Sequence, residues 1–297
     1  MTVIFITIPI LAGVALLIWL LARKPGPKVA PIEFGVNLPA FNLIALGGQE
    51  TGKTVLLASM FHRLTTEMSG GGLRLQTSLD QSVYLTNLYE TLTMPDEAWP
   101  PGTKVGESRS FTFECVGSAG GDEFPVLNFN YLDYSGELLS GGNVSQAVLD
   151  QRVSRQKDLE QRIEAAHALF GIIDGQRMLG YLQGDPESQR YIRTSIIPMI
   201  GVMRKAKCPL HFILTKWDLF NGTASSDEEM DENERLAEIR NKLMSEDPIR
   251  NLIEQRRGEK RKVRLIPVSA IGRQFATMDA QGYMVKRKNG RLRPNTA

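Results

Sequence analysis

LGGQETGKT (46–54) joins the apolar run FNLIALGG (41–48) to the helical pattern TVLLASMFHRLTTEM (54–68). Gly47 and Gly52 lie five apart, and Lys53 and Thr54 follow, so the stretch fits the phosphate-binding loop pattern GxxxxGK(S/T) in full. Glycines let backbone N–H groups turn inward around phosphate oxygens, and the start of the following helix adds partial positive charge. Gly47, Gly48, Gln49, Glu50, Thr51, Gly52, Lys53 and Thr54 are the candidate phosphate ligands. Lys53 would reach the β- and γ-phosphates, and the Thr54 hydroxyl would ligate Mg²⁺. The bland alternative is a glycine turn with a surface lysine. The strand before the loop and the helix after it count against that.

Outward from the loop, short apolar runs alternate with longer helical patterns. SFTFECV (110–116) reads as an edge strand, and VLNFNYLD (126–133) as its hairpin partner across GSAGGDE. ALFGIID (168–174), PLHFILTKWD (209–218) and VRLIPVSA (263–270) read as buried strands. Helices are predicted over 146–166, over 188–206 with an interruption near Pro198, and over about 232–256. The alternation predicts an α/β three-layer sandwich, its sheet mostly parallel with one antiparallel edge strand. The acidic run SSDEEMDENE (225–234) reads as a solvated loop entering a helix N-terminus.

Three further motifs stand at predicted strand ends, in order. Asp133-Tyr134-Ser135-Gly136 is a DxxG, whose aspartate can touch Mg²⁺ through water and whose glycine N–H can sense a γ-phosphate. Thr215-Lys216-Trp217-Asp218 is a TKxD. A carboxylate at Asp218 can accept two hydrogen bonds from N1–H and the 2-amino group of guanine, a donor pair that adenine lacks. The stem of Lys216 would lie over the base. Ser269-Ala270 closes the series, where a backbone N–H can meet guanine O6. Each motif is weak alone. Together, in this order, they point to GTP or GDP with Mg²⁺.

With these motifs the chain resembles the translation-factor-related class of P-loop GTPases over about residues 40–273. PPGT (100–103), the DYSGE form of the third motif (133–137) and the tail KRKNGRLRPN (286–295) are similar to the bacterial double-GTPase-like families of that class. In layout, an anchored Ras-like domain also resembles the signal-recognition-particle receptor beta subunit. The resemblance implies a Ras-like P-loop fold and GTP hydrolysis coupled to a switch. It also implies a switch threonine before the edge strand, for which Thr103 is the candidate ligand of Mg²⁺. The chain departs from the class pattern in several places. TKxD replaces NKxD, and the shorter threonine is expected to hold the phosphate loop less firmly. Ile271 stands where a lysine would follow Ser-Ala, and the step from Thr54 to Asp133 leaves room for an insertion around 69–100. Glu137 holds the place of a water-orienting glutamine. It could position water, bind a partner, or take no catalytic part. Glu137 and Thr103 are the catalytic candidates, and slow turnover accelerated by an unidentified partner or by self-association is expected. The rival readings are a non-hydrolysing guanine-nucleotide sensor or scaffold, and a P-loop ATPase with an accidental TKWD.

VIFITIPILAGVALLIWLLA (3–22) carries no charge and is long enough for a helix of roughly 30 Å, the thickness of a bilayer core. A single transmembrane helix is predicted. Arg23, Lys24 and Lys28 follow it, which puts the N-terminus outside and the rest in the cytoplasm, on an inner membrane. The expected organisation is an anchor over 1–23, a proline-rich spacer over 24–39, the GTPase domain over 40–273 and a basic tail over 274–297. RRGEKRKVR (256–264) and the tail read as solvated, with contact to anionic lipid as the functional alternative. Sparse aromatic residues there and a net charge of +2 count against nucleic acid. Cys115 and Cys208 lie in apolar runs and read as core thiols, and the three histidines have no ligand spacing.

Overall fold

The computed structural model describes residues 38–66, 73–94, 99, 108–119, 122–134, 157–222, 231–270, 276–278 and 284–286. Strand β1 (Ala40–Leu46) passes from exposed at its start to fully buried at Ala45 and Leu46. That gradient sets it in the middle of the sheet, whose order is β2-β3-β4-β1-β5-β6-β7. β1 is parallel to β4 (Asp122–Tyr134) on one side and to β5 (Ala168–Ile173) on the other. β6 (Leu210–Leu214) and β7 (Leu265–Pro267) continue the parallel half.

Side chains on a strand alternate between faces, and the core divides accordingly. Ile44, Leu46, Leu132 and Ile173 belong to one apolar cluster, and their neighbours Ala45, Tyr131 and Ile172 to the other. The second cluster takes Leu57, Ala58 and Phe61 of helix α1 (Lys53–Thr66) and Leu85 and Leu92 of α2 (Leu79–Thr93). The first takes Met178 of α3 (Gly175–Leu182), Met199 and Met203 of the helix Ile197–Met203, Ile239 of the helix Glu232–Met244 and Leu252 of the helix Asp247–Gly258. Helices thus cover both faces of a seven-stranded, mostly parallel sheet. Cys115 and Cys208 are both buried and free.

Several expectations need correction. β3 (Ser108–Ala119) is not the edge strand, because β2 (Leu73–Gln76) pairs antiparallel along its outer side. The 69–100 stretch therefore supplies the edge strand and the helix α2. LRLQ has one buried residue in four, too little pattern to read alone, and its pairing with β3 is what makes it a strand. The 188–206 helix carries the interruption expected near Pro198 and is three pieces: α4 (Pro186–Tyr191), a π-helical turn over Ile192–Ile196, and α5 (Ile197–Met203). Pro198, at the second position of α5, lacks the N–H that would bond one turn back, and the wider turn takes up that gap. The helix expected over 232–256 is two, α6 (Glu232–Met244) and α7 (Asp247–Gly258), parted before Pro248 because proline opens a helix and cannot continue one. In the basic tail, β8 (Ala276–Met278) and β9 (Met284–Lys286) pair antiparallel in a sheet of their own.

Of the helix expected over 146–166, the described part is helical over 157–164. Among the described residues no helix is long and apolar enough to cross a membrane. The predicted span over 3–22 lies outside them. In the basic segment 256–264, Arg256 is not solvated. It is 1% exposed and donates to the carbonyls of Met203, at 3.1 Å, and Ala206 at the end of α5, and to Glu259 at 3.1 Å. It adds a charged donor at the carbonyls of the helix end, where Met203 O also accepts from the Ala206 N–H at 3.2 Å.

Candidate functional site

The loop between β1 and α1 is built around backbone that most side chains resist. Glu50 (φ 61°) and Gly52 (φ 85°) are left-handed. A Cβ on Gly47 would lie 2.9 Å from the carbonyl of Ile172 and 3.0 Å from Thr51 Oγ1, so the first glycine has no room for a side chain. The side chains of Gln49 and Glu50 face solvent, while Thr51 is fully buried with its hydroxyl donating to Gly48 O at 3.0 Å.

Lys53 lies inside the loop, 6% exposed, and its ammonium donates to Gly47 O at 2.9 Å and Gly48 O at 2.7 Å. Burial pulls its pKa below the ordinary lysine value, against the opposing charge of Asp133. A cation desolvated inside the loop, held by two neutral carbonyls, is suited to an anionic ligand. Thr54 and Asp133 come together as their spacing of 79 residues would not suggest, with Thr54 Oγ1 donating to Asp133 Oδ2 at 2.7 Å. Asp133 is fully buried, and its Oδ1 has no hydrogen-bond partner among the described residues. A buried carboxylate oxygen is costly to leave unpaired. An adjacent hydroxyl and carboxylate, one oxygen unpaired, are hard oxygen donors that fit a divalent cation such as Mg²⁺. Tyr131, two residues earlier on the same face, also keeps a buried phenol without a partner. Its pKa is raised by burial first and by Asp133 second.

The third loop is clamped onto the first. Thr215, just past β6, donates its N–H to Ile173 O at 3.0 Å and its hydroxyl to Thr51 O at 2.8 Å, with Ile173 O also 3.1 Å from that hydroxyl. The shorter threonine reaches the phosphate loop directly. Lys216 takes a left-handed backbone (φ 54°), and its ammonium pairs with Asp174 Oδ2 at 2.8 Å. The Asp218 N–H donates to Ser269 Oγ at 2.8 Å, and the Trp217 N–H to Val268 O at 3.2 Å. Asp218, Ser269 and Ala270 thus lie at neighbouring strand ends and are each half-buried. Thr103, Gly136 and Glu137 lie outside the described residues.

Asp174 is the residue that sequence reasoning missed. It is 4% exposed and every polar group on it is used. Oδ1 accepts from the N–H groups of Gln176 (2.9 Å) and Arg177 (3.4 Å), capping α3, and its own N–H donates to Tyr191 Oη at 3.0 Å. Gly175 follows because a Cβ there would stand 2.1 Å from Thr215 O. An aspartate before glycine at a strand end is a cap signal, and it was available in the sequence. Its link to Lys216 was not. Ser195, on the π-helical turn, is a second such residue: a Cβ on Gly48 would come within 3.5 Å of its Oγ.

All these groups gather beyond the carboxyl ends of β1, β4, β5, β6 and β7, where β1 has neighbours reached in opposite directions along the sheet. Such a crevice is where open α/β sheets take ligands. No protein-family profile matches this chain, and no curated protein matches it in sequence.

Proposed function

We propose that the chain is a membrane-anchored guanine-nucleotide-binding switch with a Ras-like P-loop fold, hydrolysing GTP slowly to GDP and phosphate. The observation that carries this reading is Thr215, whose hydroxyl bonds the phosphate loop at Thr51 O while the next residues join Ser269. That one residue ties a phosphate cradle to a carboxylate able to read guanine.

In this reading the loop N–H groups and Lys53 take the phosphates. Displacement of the Lys53 ammonium from its two carbonyls onto phosphate exchanges neutral acceptors for charged ones. Thr54 and Asp133 would hold Mg²⁺, which when bound neutralises charge between the β- and γ-phosphates. Asp218 accepts from N1–H and the 2-amino group, the backbone N–H at Ala270 donates to O6, and the stem of Lys216, pinned by Asp174, lies along the base. Thr103 would complete the Mg²⁺ shell, the Gly136 N–H would sense the γ-phosphate, and Glu137 holds the sequence place of a water-orienting residue. Glu137 in place of glutamine also favours a second reading, a guanine-nucleotide sensor without useful turnover. A carboxylate beside phosphate adds like charge where hydrolysis needs it removed.

The test is competition of GDP against ADP for the full chain held in nanodiscs, followed by single-turnover GTP hydrolysis. GDP is expected to win by at least about 100-fold. Equal affinity would sink the base assignment and return the P-loop ATPase. Asp218→Asn is expected to move the preference from guanine to xanthine nucleotides by a similar factor. An unchanged preference removes Asp218 from the site.

A further inference from the structure

The strands that run parallel begin at the end of the sheet opposite the phosphate loop: β1 at Ala40, β5 at Ala168, β6 at Leu210 and β7 at Leu265. Two basic segments enter that end, residues 204–207 before β6 and 259–264 before β7. Two buried or half-paired arginines bind the segments to each other. Arg256 donates to Met203 O and Ala206 O, and Arg261 to Lys207 O. The clamp gathers exposed cations from both segments: Arg204, Lys207, Lys260, Arg261, Lys262 and Arg264. The nearby carboxylates Glu160 and Glu259 are already engaged, Glu160 with Lys205 at 2.7 Å and Glu259 with Arg256 at 3.1 Å and Arg261 at 3.8 Å. Positive charge is therefore in surplus on this surface.

The same end is where the chain arrives. At about 4.8 Å per strand step, β7 starts roughly 14 Å to the side of β1. Residues 24–39 lead to β1 from the uncharged run 3–22. Even as an extended proline-rich spacer, that segment spans at most roughly 50 Å. A surface tethered at such range meets headgroups at high effective concentration, so a modest patch suffices. Each cation near an anionic leaflet adds attraction that salt screens.

We propose that this basic end of the sheet lies on anionic lipid headgroups of the bilayer that holds residues 3–22, so that the nucleotide end, one strand length away, faces the aqueous phase. The proposal rests on reading 3–22 as a membrane span. It is independent of which nucleotide binds.

The experiment uses the full chain with Gly258→Cys carrying a donor dye. Gly258 is exposed and a Cβ there meets nothing within 4 Å, while Cys115 and Cys208 are buried. Energy transfer to acceptor-headgroup lipid is compared in neutral nanodiscs and in discs with roughly 30% phosphatidylserine. Transfer is expected to be about twofold higher on the anionic discs and to fall to the neutral level in high salt. The variant Lys260→Glu/Lys262→Glu/Arg264→Glu should abolish the difference, and Arg204→Glu/Lys207→Glu on the other segment should do the same if the first fails to fold. Equal transfer on both discs, or transfer untouched by charge reversal, overturns the proposal. So does displacement of the lipid signal by an equimolar single-stranded RNA. Alkaline carbonate extraction separates the two readings. Release of the chain fails the anchor, whereas retention with equal transfer fails the docking surface alone.

Discussion

Lys53 carries a charge into a buried loop, and the direction of its pKa has a consequence for stability. Burial lowers the folded-state value below that of the unfolded chain. A lysine shifted down costs stability wherever it is charged in both states, and that cost is relieved as pH rises through the folded value toward the unfolded one. Lys53→Met is therefore expected to raise the nucleotide-free thermal midpoint, by about 2–4 °C if roughly 1 kcal/mol is recovered. The same change should weaken GDP binding by about 100-fold, since two charge-assisted bonds are lost. A lowered midpoint in differential scanning calorimetry would show that its bonds to Gly47 O and Gly48 O outweigh the burial. Asp174 is the complementary case. Asp174→Asn keeps an oxygen to cap α3 but removes the negative partner of Lys216. We expect stability within about 1 kcal/mol of the parent and roughly tenfold weaker GDP binding, with Asp174→Ala losing the cap as well. Unchanged GDP affinity in Asp174→Asn by isothermal calorimetry would leave Asp174 a helix cap and nothing more. Lys53 was found because a loop pattern is local, whereas the partner of Asp174 stands 42 residues on.

At the scale of elements, the site depends on how closely two strand ends approach. The junction of β5 and α3 presses on the loop after β6, where a methyl group on Gly175 would stand 2.1 Å from Thr215 O. Gly175→Ala must push the two apart. A loss of about 1–3 kcal/mol in stability, read from urea unfolding, is expected from overpacking. Nucleotide affinity should fall with it, because Thr215 would leave Thr51. Full affinity in a destabilised variant would separate the clamp from the site. Parallel strands at 40–46, 168–173 and 210–214 were legible because each is a continuous apolar run bounded by turns or helical pattern. β2 was not, because a strand of four residues takes its identity from β3 beside it. The break between α6 and α7 was legible in principle at Pro248, but a helical periodicity running on both sides concealed it.

For the whole molecule, the proposed switch, if held on a membrane, would meet its own copies in two dimensions. If self-association accelerates turnover, GTP hydrolysis per chain should rise with the number of chains per vesicle at constant total protein. A flat dependence would leave acceleration to a separate partner. The sequence by itself determined the glycine-rich loop between a strand and a helix, the order of Asp133, Asp218 and Ser269 behind it, and the α/β alternation. These rest on local spacing, on backbone that only certain residues adopt, and on runs of apolar side chains. The tertiary structure alone decided that Lys216 is held by Asp174 and that Thr215 reaches Thr51. It also decided that Arg256 is buried and that the remaining cations of 204–207 and 259–264 share one end of the sheet. Sheet order and register bring together residues distant in the chain, and no spacing along the chain encodes which oxygen a given hydroxyl or ammonium will meet.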